Sequence, residues 1–142
     1  EMFKAQIKSE ERVILVPLPT TFTHIRERGF DHMKYLGFCL ENELSDLHEG
    51  IIWKNTKIEM KMLLLRTNNK TQVGKNAEVR MEQAKNAYAM KEGVEIDSQA
   101  IYVLFDDVWT TGASMMAAQC VLRRAGVKRI AALVIMSNDY ID

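Results

Sequence analysis

The 142-residue sequence lacks the features that mark several classes of protein. It has only two cysteines, Cys39 and Cys120, and neither has a Cys or His neighbour at metal-ligand spacing, so we expect no zinc site or structural disulfide. No run approaches the roughly 18 apolar residues that cross a bilayer, and residues 1–12 lack the apolar core of a signal peptide. We therefore expect a cytoplasmic protein without membrane insertion.

An excess of charge of one sign is also missing, because 19 basic and 19 acidic residues cancel. Bulk charge therefore gives no argument for binding to nucleic acid or a membrane. The distribution is uneven, however, since Lys and Arg outnumber Glu between Trp53 and Lys91. This segment is either a solvated face or a surface for single-stranded nucleic acid. A hydrophobic content of 47% supports a real core, and we expect a single domain over residues 1–142.

The first half of the chain indicates alternating strands and helices. Val13–Val16 is a short apolar run stopped by Pro17, which is typical of a buried strand. We predict a loop from there to about Phe30 and a helix from Asp31, where apolar residues begin to recur at helical spacing. Further predicted elements are strands at Ile51–Trp53 and Met62–Leu65, a loop at Arg66–Gly74 and a helix at Ala77–Ala87.

The second half contains the strongest structural pattern. Ile101–Phe105 is apolar throughout and ends abruptly at two aspartates, which indicates a buried strand. A helix is predicted over Ala113–Ala125 with Gly126 as its C-terminal cap, followed by a strand at Arg129–Met136. Strand, helix and strand at these spacings predict an α/β fold with a mostly parallel open sheet flanked by helices.

The residues between this strand and this helix are suited to phosphate and sugar chemistry. Asp106 and Asp107 would lie at the carboxyl edge of the sheet, where open α/β folds bind ligands. The hydroxyl-rich segment Thr110–Ser114 directly precedes a helix, whose free N–H groups and dipole attract a phosphate. Gly112 would let the backbone approach that phosphate closely. A capped turn without a ligand explains each residue separately, but it does not explain their combination.

This segment resembles the signature of type I phosphoribosyltransferases that binds 5-phosphoribosyl-1-pyrophosphate (PRPP). The resemblance implies that Asp106 and Asp107 face the ribose hydroxyls and help to hold Mg²⁺ through water or the ligand. It implies that Thr110–Ser114 holds the 5-phosphate. The full set of implied PRPP-binding residues is Asp106, Asp107, Val108, Trp109, Thr110, Thr111, Gly112, Ala113 and Ser114.

Other segments resemble the ComF family of competence proteins. The matching elements are Val16-Pro17-Leu18-Pro19, Arg26-Glu27-Arg28-Gly29-Phe30, and a series made of Arg66, Thr71, Gln72, Arg80 and Ala87-Tyr88. The chain departs from the family pattern at Asp31-His32, where Asn-Gln is usual, and it has no counterpart of the family's N-terminal Cys-rich zinc element. The resemblance implies a role in natural transformation, with incoming single-stranded DNA and other competence proteins as partners.

The resemblance also implies roles for residues outside the aspartate segment. Pro17, Leu18, Arg26 and Arg28 would surround the pyrophosphate, whereas Arg66, Gln72 and Arg80 would belong to a flexible loop over PRPP. Lys70, Lys75 and Arg80 are candidates for contacts with DNA. No general base is evident, because Thr110 stands where purine-salvage members carry an Asp, and neither His24 nor His32 is favoured as a base. A phosphoribosyltransferase of nucleotide metabolism and a non-catalytic PRPP-sensing regulator are therefore alternatives.

Overall fold

The computed structural model describes residues 11–46, 56–67, 87–109 and 111–137. Most of the elements of secondary structure in these segments coincide with an apolar run or with apolar residues at helical spacing. In chain order they are β1 (Arg12–Pro17), α1 (Phe22–Arg28), α2 (His32–Asp46), β2 (Lys57–Met60), β3 (Leu64–Arg66), β4 (Tyr88–Met90), β5 (Ile101–Trp109), α3 (Ala113–Arg124) and β6 (Arg129–Ser137).

A four-stranded parallel sheet of order β2-β1-β5-β6 organises the fold. Val13 of β1 pairs with Ile58 on one side and with Ile101 on the other, and Ile101 pairs in turn with Arg129 of β6. Helix α2 packs against β1 and β2, and α3 packs against β5. The predicted α/β class, a mostly parallel open sheet flanked by helices, is confirmed. A separate two-stranded antiparallel sheet pairs β3 with β4.

The central strands β1 and β5 are apolar because both of their faces are buried. Alternate side chains such as Val13 and Val103 enter one core with residues of α2, and Ile14 and Leu104 enter a second core with residues of α3. Since successive side chains of a strand point to opposite faces, a strand covered on both sides reads as a continuous apolar run. This is the pattern from which both strands were predicted.

The order of the strands creates a switch point between β1 and β5. The chain continues from β1 to its neighbour β2 on one side of the sheet, and from β5 to its neighbour β6 on the other. Connections that diverge in this way leave a crevice at the carboxyl ends of the two central strands. The N–H of Leu18 donates to the carbonyl of Phe105 at 3.0 Å, so the two strands remain joined up to the rim of the crevice.

Several predicted elements differ from the structure. The segment predicted as a loop before Phe30 contains α1, which Thr21 caps by accepting from the N–H of His24 and which Gly29 ends in a left-handed conformation. Strand β5 does not stop at Phe105 but runs on to Trp109, because β6 continues to pair with it beyond the end of β1. The short edge strand β2 was missed, since its mixture of charged and apolar residues has no strong strand period.

The other predictions have mixed outcomes. The helix after Asp31, the helix after Gly112 and the strand from Arg129 are confirmed, and Gly126 has a positive φ of 97° as expected for a C-terminal cap. The strand predicted at Met62–Leu65 is displaced to Leu64–Arg66. The predicted strand Ile51–Trp53, most of the loop Arg66–Gly74 and most of the helix Ala77–Ala87 lie outside the described residues. None of the described helices is long and apolar enough to cross a membrane.

Candidate functional site

A cleft of about 270 Å³ lies at the switch point of the sheet. Four parts of the chain form its walls. The end of β5 contributes Asp106 and Asp107, and the opening turn of α3 contributes Ser114. The α1 and α2 side contributes His24, Arg28 and His32, and the small sheet contributes Arg66 and Tyr88. The cleft therefore brings together two aspartate side chains, the start of a helix, and arginine and histidine side chains.

The two aspartates are held in place by hydrogen bonds. Asp106 Oδ1 accepts from the backbone N–H of Asp107 at 2.9 Å. Asp107 Oδ2 lies 2.9 Å from Nε2 of His32, which comes from the first turn of α2. Both side chains are partly buried at the edge of the sheet. The acid pair is therefore oriented before any ligand arrives.

The surroundings shift the pKa values of these two carboxyl groups in opposite directions. Burial raises the pKa of Asp106 above its ordinary value, and the neighbouring Asp107 raises it further. Burial acts in the same direction on Asp107, but the hydrogen bonds with His32 and Asp106 outweigh it and lower the pKa of Asp107. Asp107 is therefore the member of the pair that keeps its negative charge more readily.

The start of α3 has the geometry of an anion-binding turn. Gly112 precedes the helix with φ of 74° and offers no side-chain cap to the first N–H groups. Thr111 Oγ1 accepts weakly from the N–H of Ala113 at 3.4 Å. A recess of about 30 Å³ beside this turn is lined by Asp106, Trp109, Gly112 and Ser114, among others. Helix N–H groups and the positive end of the helix dipole therefore lie beside Asp106 in this recess.

Gly112 is required here for a reason that the sequence did not reveal. We predicted that a side chain would obstruct a phosphate. The structure adds a nearer neighbour, because a Cβ built on Gly112 would lie 2.5 Å from a ring atom of Trp109. The indole of Trp109 therefore covers the outside of the turn, and both the left-handed backbone and this contact select glycine.

The predicted cations are only partly brought together. Arg28 lines the cleft, whereas Arg26, also on α1, is not among the described residues that line it. Arg66 also lines it, and its guanidinium lies over the ring of Tyr88, 5.7 Å from the centroid. The attraction between the cation and the ring favours this position of the Arg66 side chain. Leu18 lines the cleft, and Pro17 lies just before it as the last residue of β1.

Several predicted site residues lie outside the described part of the chain. They are Thr110 of the phosphate segment, Gln72 and Arg80 of the predicted flexible loop, and Lys70 and Lys75 of the predicted DNA surface. In contrast, His32 was not favoured by sequence reasoning, yet it contacts the acid pair directly. The sequence did contain an indication of this contact. A helix that follows a strand and its loop begins near the carboxyl edge of the sheet, so a histidine in its first turn lies close to that edge.

The donor set fits one mode of binding for Mg²⁺. Across residues 11–46, 56–67, 87–109 and 111–137, no group of three or more His, Cys, Asp or Glu side chains could enclose a metal ion. Mg²⁺ does not need such a cage, because it keeps several waters and is often bound by one or two carboxylates together with substrate phosphates. Asp106 and Asp107 can supply those carboxylates.

Comparison with known proteins adds little beyond this geometry. No protein-family model matches the sequence, and no curated protein matches it. Among solved structures, the chain is similar to one described as the allosteric regulatory enzyme of purine biosynthesis, with 14% sequence identity and a TM-score of 0.47. The alignment covers 92% of this chain and only 22% of that one. The assignment of the α/β class rests on the strand order and not on this likeness.

Proposed function

We propose that this chain is a phosphoribosyltransferase-like protein whose cleft binds PRPP. The single observation that carries the proposal is the meeting of the Asp106 and Asp107 pair with the open start of α3 at the switch point of the sheet. Carboxylates accept hydrogen bonds from vicinal hydroxyls, and a helix start attracts a phosphate dianion. A phosphorylated ribose carries both groups at the separation of one sugar ring.

The rest of the cleft supports a second anionic group at the other end of the ligand. Arg28 and Arg66 line the same cleft as the start of α3, and His24 lies on the same helix as Arg28. Guanidinium groups pair well with phosphate oxygens because their donors form a planar fork. The volume of about 270 Å³ lies close to the lower end of the range of roughly 300–1,000 Å³ found for small-molecule sites. These features suit the pyrophosphate of PRPP.

Each residue then has a defined task in binding. Asp106 and Asp107 accept from the ribose hydroxyls and would hold Mg²⁺, which supplies charge neutralisation at the pyrophosphate when bound. The α3 start holds the 5-phosphate, and Arg28 and Arg66 hold the leaving pyrophosphate, where negative charge grows if the ribosyl bond breaks. Transfer of the ribosyl group would produce free pyrophosphate, so its release in the presence of nucleobases or nucleotides separates an enzyme from a PRPP sensor.

Calorimetric titration tests the binding claim. We expect the wild-type protein to bind PRPP more tightly with Mg²⁺ than without it. We expect the double variant Asp106→Asn, Asp107→Asn to lose at least about tenfold in affinity for ribose 5-phosphate. The double variant should still bind inorganic phosphate, because the start of α3 is unchanged. A matched control replaces two acids of α2, Glu43→Gln and Asp46→Asn, both of which are exposed. Equal affinity of the double variant and wild type for PRPP would refute the site.

A role in DNA uptake remains a prediction from the family resemblance. In the basic segment, Lys57 and Lys61 form ion pairs with Glu59 at 2.6 and 3.6 Å, so part of its charge is already neutralised. If the segment binds single-stranded DNA, replacing Lys70, Lys75 and Arg80 by Ala should weaken binding and reduce its dependence on salt. Replacing Lys57 and Lys61 instead serves as the control. Equal binding by the two variants would argue against this role.

A further inference from the structure

His32 connects two elements that are far apart in sequence. It is the first residue of α2, where Asp31 caps the helix by accepting from the N–H of Lys34 at 3.1 Å. Its ring reaches β5, where Nε2 lies 2.9 Å from Asp107 Oδ2. An ionised carboxylate only accepts hydrogen bonds, so Nε2 carries the proton in this pair. Nδ1 is buried and has no hydrogen-bond partner among the described residues.

The bond is not needed to attach α2 to the sheet. That attachment is mainly apolar, because Met33 is buried beside the sheet and Gly37 lets the helix approach the ring of Phe105 closely. Glu41 of α2 adds a separate hydrogen bond to β2 by accepting from the N–H of Met60 at 2.9 Å. A partly exposed contact of this kind adds little stability, about 0–1 kcal/mol even for a fully charged pair. The pair also leaves a ring nitrogen buried without a partner among the described residues, which has a cost. Stability alone therefore gives a weak reason for a histidine at this position.

The bond does control the direction of a side chain in the cleft. The terminal torsion of an aspartate is broad, so a carboxyl group at the end of a strand samples many orientations. With Oδ2 held by His32, which is itself anchored at a capped helix start, the plane of the Asp107 carboxylate is restricted. Both residues line the cleft, so this restriction acts where the ligand would bind.

We propose that His32 is a positioning residue that orients Asp107 toward the vicinal hydroxyls of a phosphorylated ribose, an inference that rests on the proposed function. Its contribution passes through Asp107 and not through direct contact with the ligand. At metal sites, loss of a side chain that orients a ligating residue typically lowers metal affinity or activity by about 10–100-fold, and we expect an effect at the lower end of that range for His32. The loss should therefore fall on ligands that carry both ribose hydroxyls.

Two variants of similar size separate the hydrogen bond from packing. In His32→Gln the side-chain amide can place an N–H near the position of Nε2, whereas His32→Leu fills the space without a donor. Binding of ribose 5-phosphate, 2-deoxyribose 5-phosphate and inorganic phosphate is measured for both variants and for wild type. Urea unfolding of each variant reports any change in stability.

We expect His32→Leu to lose about tenfold in affinity for ribose 5-phosphate and little for the other two ligands. His32→Gln should retain affinity within about threefold of wild type, since its amide donor replaces Nε2–H. The inference is overturned if His32→Leu binds ribose 5-phosphate as wild type does, if it weakens all three ligands equally, or if His32→Gln fails to restore the difference. Failure of wild type to bind ribose 5-phosphate would instead remove the proposed function, and this inference with it.

Discussion

Replacing Gly112 by Ala tests how the turn before α3 is built. The backbone there has φ of 74°, and the new Cβ would lie 2.5 and 2.6 Å from two ring atoms of Trp109. A second glycine gives a matched control: Gly126 has φ of 97°, and a Cβ at that position would meet no other atom within 4 Å among the described residues. The two substitutions therefore share the backbone strain, and only one of them includes the ring contact.

The backbone strain and the contact with the ring each lower the free energy of unfolding. A left-handed conformation costs an alanine about 1–2 kcal/mol, and the stiffer unfolded chain offsets about 0.4–1 kcal/mol of that, so Gly126→Ala should destabilise by ~1 kcal/mol. Carbon atoms prefer separations of about 3.5–4.0 Å, so the indole must move by ~1 Å in Gly112→Ala. Trp109 is 39% exposed and can rotate outward, which adds about 0.5–1.5 kcal/mol. We expect about 2 kcal/mol in total.

Urea unfolding and tryptophan fluorescence provide the assay. Trp53 is the other tryptophan in the sequence, so a Trp53→Phe background leaves Trp109 as the reporter. We expect Gly112→Ala to shift the emission to the red and Gly126→Ala to leave it unchanged. Adding Trp109→Ala should reduce the cost of Gly112→Ala to that of Gly126→Ala. If the two glycine variants are equally stable with identical emission, the contact with Trp109 does not constrain the turn.

Three further predictions concern charge and packing. The hydrogen bonds from Lys57 and Arg12 lower the pKa of Glu59 from its ordinary 4.5 to about 2. The lowered pKa stabilises the folded state by about 1 kcal/mol after solvent screening. This stabilisation is present above pH 4.5 and is lost as pH falls toward 2. Glu59→Gln should therefore make the free energy of urea unfolding depend less on pH. Arg28→Ala should weaken PRPP binding in calorimetry, whereas Arg26→Ala should not; equal effects would contradict the observed lining of the cleft. In Gly37→Ala the new Cβ would lie 2.9 Å from Cγ of Met60 and 3.1 Å from the ring of Phe105, an overpacking that costs about 1–3 kcal/mol. Replacing a glycine inside a helix offsets about 1 kcal/mol of that cost, so we expect a net destabilisation of ~1 kcal/mol in the same unfolding assay. A more stable variant would mean that α2 shifts freely.

The family resemblance and the local patterns differ in what they can predict. A strand such as Ile101–Phe105 is recognisable because burial on both faces leaves a continuous apolar run. Gly112 is recognisable because positive φ before a helix is a local backbone requirement. The extension of β5 to Trp109 is different, since it depends on pairing with β6. Local residues contain no information about how far a neighbouring strand continues.

The two arginines of α1 show why the cations could not be assigned from the sequence. As parts of a loop, Arg26 and Arg28 could both face the predicted pyrophosphate site. In the helix that forms between Thr21 and Gly29, side chains two residues apart point in directions about 160° apart, so only one of them can face the cleft. The helix was missed because it is short and has no apolar period, although both of its capping residues were visible in the sequence.

Periodicity and backbone preferences act over a few residues, and they were enough to predict the class of fold, most of its main strands and helices, and the segment of acids, hydroxyls and glycine at the end of β5. Three features of the site are visible only in the packed structure. His32 forms a hydrogen bond with Asp107, Arg28 and not Arg26 lines the cleft, and the indole of Trp109 packs against Gly112. The first two depend on how whole elements pack, since His32 and Asp107 are separated by 75 positions in the chain. The third lies within one turn, but that turn begins where it does because β5 pairs with β6 as far as Trp109.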